Sequence, residues 1–178
     1  PTDMGVNMIG FCMSDEDVCC NAAREEIIRR YYSALGRLAT MGDNEQEVNK
    51  ISLILKQAKL TTEYRRTTVA ARERKDLAEE HAAAIELQDG TIITSQTSPL
   101  LGPSAALILN ATKHLAGIPH SVKLIPEEMI APIQKTKVSF LHGHNPRLHT
   151  DEVLVAISML SIHDENCRRA LEQLPKLD

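Results

Sequence analysis

The sequence predicts an α/β protein of the α+β type, with a helical subdomain over residues 1–81 and an α/β subdomain over residues 82–178. Two observations lead to this prediction. Before residue 82, apolar residues recur at steps of three and four, the period of an amphipathic helix. After it, two β-prone runs flank Asp89-Gly90. Asp-Gly is a strong hairpin signal because a type I′ turn requires positive φ at both central positions.

The first subdomain is expected to be entirely helical. Ser14 and the acidic residues after it mark the start of a helix that continues to about residue 39. A second helix is expected over residues 44–59, where an apolar stripe recurs. The charged stretch that follows predicts a short helix near residues 63–66 and a solvated helix near residues 70–80.

The second subdomain should contain a hairpin, a third strand and flanking helices. The hairpin occupies residues 82–96, and Pro103 suits the first position of the helix after it. A third strand is expected at residues 121–125, and Pro132 is expected to kink or restart the next helix. Two further helices are expected, starting near 147 or 151 and ending at 162, and over about 165–174.

Composition excludes several classes of function. A net charge of −4 offers no basic stripe, so nucleic acid is not an expected partner. No run of 18 apolar residues occurs, so no membrane span is expected. The four cysteines form no C-x-x-C pair, which predicts reduced thiols in a cytoplasmic protein. Because the chain opens on Pro1, we interpret it as a fragment that lacks an N-terminal portion, which would then be its partner.

Three of the seven histidines fall in the stretch HGHNPRLH, namely His142, His144 and His149. Neither H-E-x-x-H nor H-x-x-E-H occurs anywhere, and Gly143 together with Asn145-Pro146 indicates a loop. We therefore interpret the cluster as an exposed polar loop and expect no metal site.

A candidate anion site lies at the start of the helix that begins near Pro103. Small and hydroxyl residues there, including Ser98, Gly102 and Ser104, leave backbone N–H groups available at a helix N-terminus, where the dipole favours an anion. Lys113 lies farther along the same helix. The alternative is ordinary N-capping by Gly102 or Ser104, which needs no ligand.

A second candidate group surrounds Arg147. Its guanidinium suits a carboxylate or phosphate, and His149 is the candidate catalytic acid or base. Asp151 and Glu152 follow at a helix start, where the dipole alone accounts for them. The alternative is a capped helix with a structural arginine–acid pair.

The order hairpin, loop and helix invites comparison with zinc deaminases, which carry H/C-x-E at the helix start and P-C-x-x-C later. Ser104-Ala105-Ala106 stands at the first place, and no P-C-x-x-C occurs. We therefore expect a small three-layer α/β subdomain of deaminase-like topology without the zinc motif, and no zinc cofactor.

Several long stretches resemble one bacterial family, the domain-of-unknown-function family 1846. They include DGTIITSQTSPLLGPSAALILNATKHLAG (Asp89–Gly117), IPEEMIAPIQK (Ile125–Lys135) and NPRLHTDEVLVA (Asn145–Ala156). The resemblance implies the C-terminal part of a longer protein whose N-terminal portion is α/β and glycine-rich, with a helical subdomain before a deaminase-like one. Some members are labelled ATP-dependent zinc protease. Asn145, Arg147 and His149 match the family pattern, whereas His142 and His144 lie outside it.

The leading functional hypothesis is that the loops 97–104 and 145–149 face one cleft. With the missing N-terminal portion they would bind a phosphate-bearing small molecule, such as a nucleotide. The candidate ligand-binding residues are Ser98, Gly102, Ser104, Lys113, Asn145, Arg147 and His149. One alternative is a non-catalytic assembly module that docks other domains or subunits, including copies of itself, through Ile27, Tyr31, Leu35 and Ile54. A second alternative is a hydrolase, so the sequence leaves open whether the chain is an enzyme.

Overall fold

The computed structural model of the chain describes residues 15–42 and 45–177. Contacts divide the chain into two compact units, Pro1–Arg65 and Arg66–Asp178. The sequence predicts a division after residue 81. The structure groups residues 66–81 with the second unit because the helix they form packs on the hairpin.

The first unit is built on helix α1, Glu16–Met41. Ser14, which the sequence suggested as part of the helix start, lies outside the described residues. Asp15 is the N-cap, and its side chain accepts a hydrogen bond from the Val18 backbone N–H at 3.1 Å. The helix ends at Gly42, whose φ of 68° is the left-handed conformation that glycine adopts at little cost.

Helix α2, Glu45–Gln57, packs against α1. Of the residues that the structure describes in this unit, the buried apolar ones are Ile28, Ala34 and Leu55. A single 3₁₀ turn, Thr62–Tyr64, follows, and the Tyr64 hydroxyl donates to Asn21 Oδ1 at 2.6 Å. The predicted helices at 44–59 and near 63–66 therefore correspond closely to observed elements.

The second unit begins with helix α3, Arg66–Ala78, and a two-stranded antiparallel sheet of β1, Ala82–Glu86, and β2, Ile92–Gln96. The hairpin prediction is correct, but its turn is not type I′. Gly90 donates to the Leu87 carbonyl at 2.9 Å and has a φ of 80°, whereas Asp89 does not have positive φ. This is a three-residue loop in which a single glycine takes the left-handed position.

Helix α4, Pro103–Leu115, completes a helix–sheet–helix arrangement. Helices α3 and α4 each pack on both strands but make little contact with each other, so they cover opposite faces of the hairpin. The α/β class is thus observed. Among the described residues the sheet has two strands, and the deaminase-like topology is not confirmed.

The predicted third strand at residues 121–125 was wrong. The Lys113 ammonium donates hydrogen bonds to the His120 and Val122 carbonyls at 2.7 and 2.9 Å. The Val122 N–H donates to Pro119 at 3.0 Å and closes a turn. Backbone groups that a sheet ladder would need are therefore used locally, and Leu124 and Ile125 are buried as core residues instead.

Three helices complete the unit: α5, Glu127–Lys135, α6, Thr150–Leu160, and α7, Glu165–Leu171. Helix α5 continues through Pro132 and passes into a π-helical turn, Thr136–Phe140. A short 3₁₀ turn, Leu174–Leu177, closes the described chain. The core of this unit lies among α4, α5, α6 and α7, and its members include Ala105, Ile130, Leu148, Val153 and Cys167.

Candidate anion-binding site

Two loops that are distant in sequence meet in the second unit, and we call their contact the two-loop junction (residues 98–102 and 145–149). Leu101 and Leu148 form an isolated parallel β-bridge. The Leu148 N–H donates to the Leu100 carbonyl at 2.9 Å, and the Gly102 N–H donates to the Leu148 carbonyl at 3.0 Å. Leu148, which forms half of this bridge, is fully buried. The junction is therefore fixed by backbone hydrogen bonds and an apolar anchor.

The first loop of the junction is a tight turn organised by Ser98. The Ser98 hydroxyl accepts from the Leu100 and Leu101 backbone N–H groups at 3.3 and 3.0 Å. The Ser98 N–H donates to the Leu101 carbonyl at 3.0 Å. Just before it, Thr97 is tied to the His81 carbonyl through both its backbone and its hydroxyl. The Ser98 side chain thus shapes the turn.

Helix α4 starts at the junction without a side-chain cap. Gly102 is its N-cap and has no side chain to offer, and Pro103 at the first position has no N–H. The first turn contains no acidic residue, and the Ser104 side chain is exposed. The positive end of the α4 dipole therefore has no carboxylate in its own first turn.

Arg147 connects the second loop to the first. Its Nε donates to the Ser98 carbonyl at 2.9 Å. The Asn145 side chain shapes this loop, accepting from the Arg147 N–H at 3.1 Å and lying 3.3 Å from His149 Nε2. Within the described residues the terminal guanidinium nitrogens of Arg147 make no further hydrogen bond, so they retain donors for a ligand.

His149 is the N-cap of α6, and the Glu152 carboxylate already balances the positive end of that helix dipole. The His149 backbone N–H donates to Glu152 Oε2 at 2.7 Å, and Lys137 Nζ lies 2.8 Å from the same oxygen. Lys137 also donates to the Arg147 carbonyl at 2.8 Å. Partial burial alone would raise the pKa of Glu152, but the hydrogen bonds from Lys137 and His149 lower it. Glu152 is therefore held as a carboxylate.

The structure brings together six of the seven proposed ligand-binding residues. Lys113 is the exception, because it lies at the opposite end of α4 and its ammonium holds the 118–122 turn. The six that lie in or beside the junction are Ser98, Gly102, Ser104, Asn145, Arg147 and His149.

Two residues that sequence reasoning did not single out organise the junction. Leu148 lies between Arg147 and His149 and is fully buried. The only sequence signal of a core role for Leu148 was that it is an apolar residue between polar neighbours. Lys137 has no comparable signal, because its partners Arg147 and Glu152 are ten and fifteen residues away across a loop.

His142 and His144 are exposed and lie outside the junction. His142 has a φ of 55°. Gly143 approaches the Lys137 backbone closely, donating to its carbonyl at 2.8 Å. Within residues 15–42 and 45–177, no three His, Cys, Asp or Glu side chains are grouped so that they could hold a metal ion.

In the same part of the chain, no helix is long and apolar enough to cross a bilayer.

Comparison with protein families gives two matches that together cover almost the whole chain. The family model described as "Domain of unknown function DUF1846, C-terminal" matches residues 63–178. The model described as "Domain of unknown function DUF1846, N-terminal" matches residues 1–59. The resemblance to this family is thereby confirmed, although residues 1–59 match the model of its N-terminal domain and not of its C-terminal part. The break between the two matches falls near the division between the two structural units.

Curated relatives are similar over 99% of this chain. A "UPF0371 protein" of Corynebacterium aurimucosum is 48% identical, "UPF0371 protein DIP2346" of Corynebacterium diphtheriae is 45% identical, and a "UPF0371 protein" of Streptococcus sanguinis is 41% identical. In each case the match covers 36% of the relative's length. The chain thus spans little more than a third of these bacterial relatives.

Proposed function

This chain belongs to the DUF1846 family, and we propose that its two-loop junction binds a phosphate-bearing small molecule such as a nucleotide. The observation that supports this proposal is the Arg147–Ser98 hydrogen bond, which holds a guanidinium against the turn that leads into α4. Arginine presents paired donors that match phosphate oxygens. The uncapped α4 terminus supplies further N–H donors at the positive end of a helix dipole.

Each residue of the junction has a role in this proposal. The backbone N–H groups at the first turn of α4 and the free N–H groups of Arg147 bind the phosphate. Asn145 holds the loop that carries Arg147. His149 stands exposed at the rim and is the candidate acid or base if a reaction follows binding. Because the curated relatives are almost three times as long, we propose that other parts of the longer protein complete the site. We also propose that the protein acts in the cytoplasm.

A charge placed at the α4 terminus tests this function. Ser104→Asp puts a carboxylate where the phosphate would lie, whereas Ser104→Asn has nearly the same shape and no charge. Binding of ATP, AMP and inorganic phosphate to the full chain is measured by titration calorimetry and thermal shift. We expect Ser104→Asp to abolish binding and Ser104→Asn to retain it. Equal binding by both variants, or no binding of any phosphate by the unsubstituted chain, would overturn the proposal.

A second candidate function is an assembly module, favoured by an exposed apolar stripe on and just after α6. Val155, Met159 and Ile162 are 62%, 65% and 74% exposed, and their spacing places them on one side of the helix. The earlier candidate face is less suited, because Ile27, Tyr31 and Leu35 are half-buried and only Ile54 is exposed. We propose that the part of the longer relatives outside the matched region packs on the α6 stripe.

Coexpression tests the assembly module. The segment of the Corynebacterium aurimucosum relative that lies outside the match is produced together with this chain, and copurification is measured. We expect Met159→Glu to abolish copurification. The control is Leu77→Glu, which places the same charge at an exposed leucine on α3. Copurification that survives Met159→Glu, or its absence with the unsubstituted chain, would count against this candidate.

A further inference from the structure

A cavity of about 250 Å³ runs beside α4, between that helix and α5. Apolar side chains form most of its wall, among them Leu100, Leu109, Leu124 and Ile130. Lys113 and His120 are among its polar lining residues. Its volume lies just below the range of roughly 300–1,000 Å³ typical of sites for drug-sized ligands, so it suits a smaller molecule.

Lys113 is the unusual feature of this cavity. Its exposure is only 8%, yet no carboxylate of the described residues lies within ion-pair distance of its ammonium. Two of its three N–H groups are used by the His120 and Val122 carbonyls. Those bonds satisfy two of the donors, leave the third N–H available and leave the positive charge without a counter-charge. Buried charges in proteins are normally paired, because removing a charge from water costs several kcal/mol in the absence of a partner.

Burial lowers the pKa of Lys113, which is the sign of an ammonium that has lost water without gaining an anion. The rim does not supply one either. Glu127 lies at the cavity edge, but it is 2.6 Å from Lys123 Nζ, and both side chains are largely exposed. An anion that entered the cavity would therefore meet an acid whose charge is already balanced.

We propose that this cavity binds a small amphipathic carboxylate, with its aliphatic chain against Leu109 and Ile130 and its carboxylate on Lys113. A monoanion fits better than a phosphate dianion, because the wall is mainly apolar and the desolvation cost grows with charge. The aliphatic part gains by removing apolar surface from water. The carboxylate supplies the counter-charge that Lys113 lacks.

The polar groups of this site differ from those of the two-loop junction, although Leu100 and Leu101 belong to both. Lys113 lies ten residues after Pro103 on α4, a rise of about 15 Å along a helix. Phosphate binding at the junction and carboxylate binding in the cavity can therefore fail independently, and each test uses its own variants.

Octanoate is the probe, with 1-octanol and acetate as matched halves that carry only the chain or only the charge. Binding to the full chain is measured by titration calorimetry and by chemical-shift changes at cavity residues. We expect octanoate to bind at least about ten-fold more tightly than either half-probe, a difference of about 1.4 kcal/mol. Octanoate that binds no better than octanol would overturn the proposal, since Lys113 would then contribute nothing.

Two variants distinguish the contribution of the Lys113 charge from that of the cavity volume. Lys113→Met keeps the length of the side chain and removes the charge, so octanoate should weaken to the level of octanol. The matched control is Lys135→Met, an exposed lysine at the end of α5 that does not line the cavity, which should leave octanoate binding within about three-fold, a change well under 1 kcal/mol. If Lys113→Met does not fold, Ala106→Leu keeps Lys113 and fills part of the cavity, and it should block both octanoate and octanol. Unchanged octanoate binding by folded Lys113→Met would show that Lys113 only secures the 118–122 turn, and unchanged binding by folded Ala106→Leu would show that octanoate does not enter the cavity; either result overturns the proposal.

Discussion

The Arg147 guanidinium donates a hydrogen bond from Nε to the Ser98 carbonyl at 2.9 Å and so joins two loops that are 49 residues apart in sequence. Beside it, the Leu101–Leu148 bridge joins the same loops through backbone hydrogen bonds. A polar side-chain contact and a buried leucine thus hold the start of α4 next to the start of α6.

Arg147→Met retains the aliphatic stem and removes the donor to Ser98. We expect the chain to lose about 1 kcal/mol of unfolding free energy, because the half-buried Ser98 carbonyl is left without this partner. Urea denaturation measures the loss, and hydrogen exchange at Gly102 and Leu148 reports whether the junction opens. Arg168→Met is the control, since its exposed pairs with Glu165 and Glu172 should contribute close to nothing. Unchanged exchange at both amides would show that the backbone bridge alone holds the loops.

Glu152 should make the second unit sensitive to acid. Although burial acts to raise the pKa of Glu152, the hydrogen bonds from Lys137 and His149 lower it below the ordinary value of 4.5. The unfolded chain therefore takes up this proton at a higher pH than the folded chain does. The stabilisation is fully present above pH 4.5 and is lost as the pH falls through the lower folded value.

Glu152→Gln should consequently flatten the loss of stability below pH 4.5 and cost roughly 1.5–3 kcal/mol at neutral pH. Denaturation curves collected from pH 7 to pH 3 measure both effects. Asp151→Asn changes an exposed acid in the same helical turn and should leave the slope almost unaltered. A slope for Glu152→Gln that equals that of the unsubstituted chain would contradict this account.

Gly143 should tolerate no side chain. A Cβ at this position would lie 3.1 Å from both the Cγ and the carbonyl oxygen of Lys137, and the backbone oxygen cannot move aside cheaply. We expect Gly143→Ala to destabilise the second unit by roughly 1–3 kcal/mol. Gly36→Ala is the matched control, because nothing lies within 4 Å of its Cβ and it lies in the exposed middle of α1. That change should stabilise by about 0.5–1 kcal/mol, so denaturation curves should move in opposite directions.

Cys167 should be inert to thiol reagents in the folded protein. It is fully buried, its Sγ donates to the Leu124 carbonyl at 3.1 Å, and burial raises its pKa to about 11. At pH 8 only about one molecule in a thousand would carry the reactive thiolate. Cys20 is exposed and serves as the internal control. Peptide-level mass spectrometry after brief iodoacetamide treatment should find Cys20 labelled and Cys167 unlabelled, and comparable labelling of both would refute the buried assignment.

Local sequence signals predicted most elements of the fold. Apolar periodicity located the helices, Asp89-Gly90 located the hairpin, and Pro103 marked the start of α4. These features depend on residues a few positions apart, so their information is local. Val122 to Ile125 has the composition of a strand, but the distant Lys113 ammonium binds the neighbouring carbonyls and draws the segment into a turn.

By itself, the sequence determined the α/β class, the family resemblance and the residue types of the candidate site. Only the tertiary structure decided which of those residues meet. In the tertiary structure Arg147 donates a hydrogen bond to the Ser98 carbonyl, whereas Lys113 lies outside the junction. The sequence could not show this, because contacts between loops depend on how α4 and α6 pack around Leu148. The tertiary structure also showed that Lys113 is buried without a carboxylate partner, a property of three-dimensional surroundings that no spacing along the chain records.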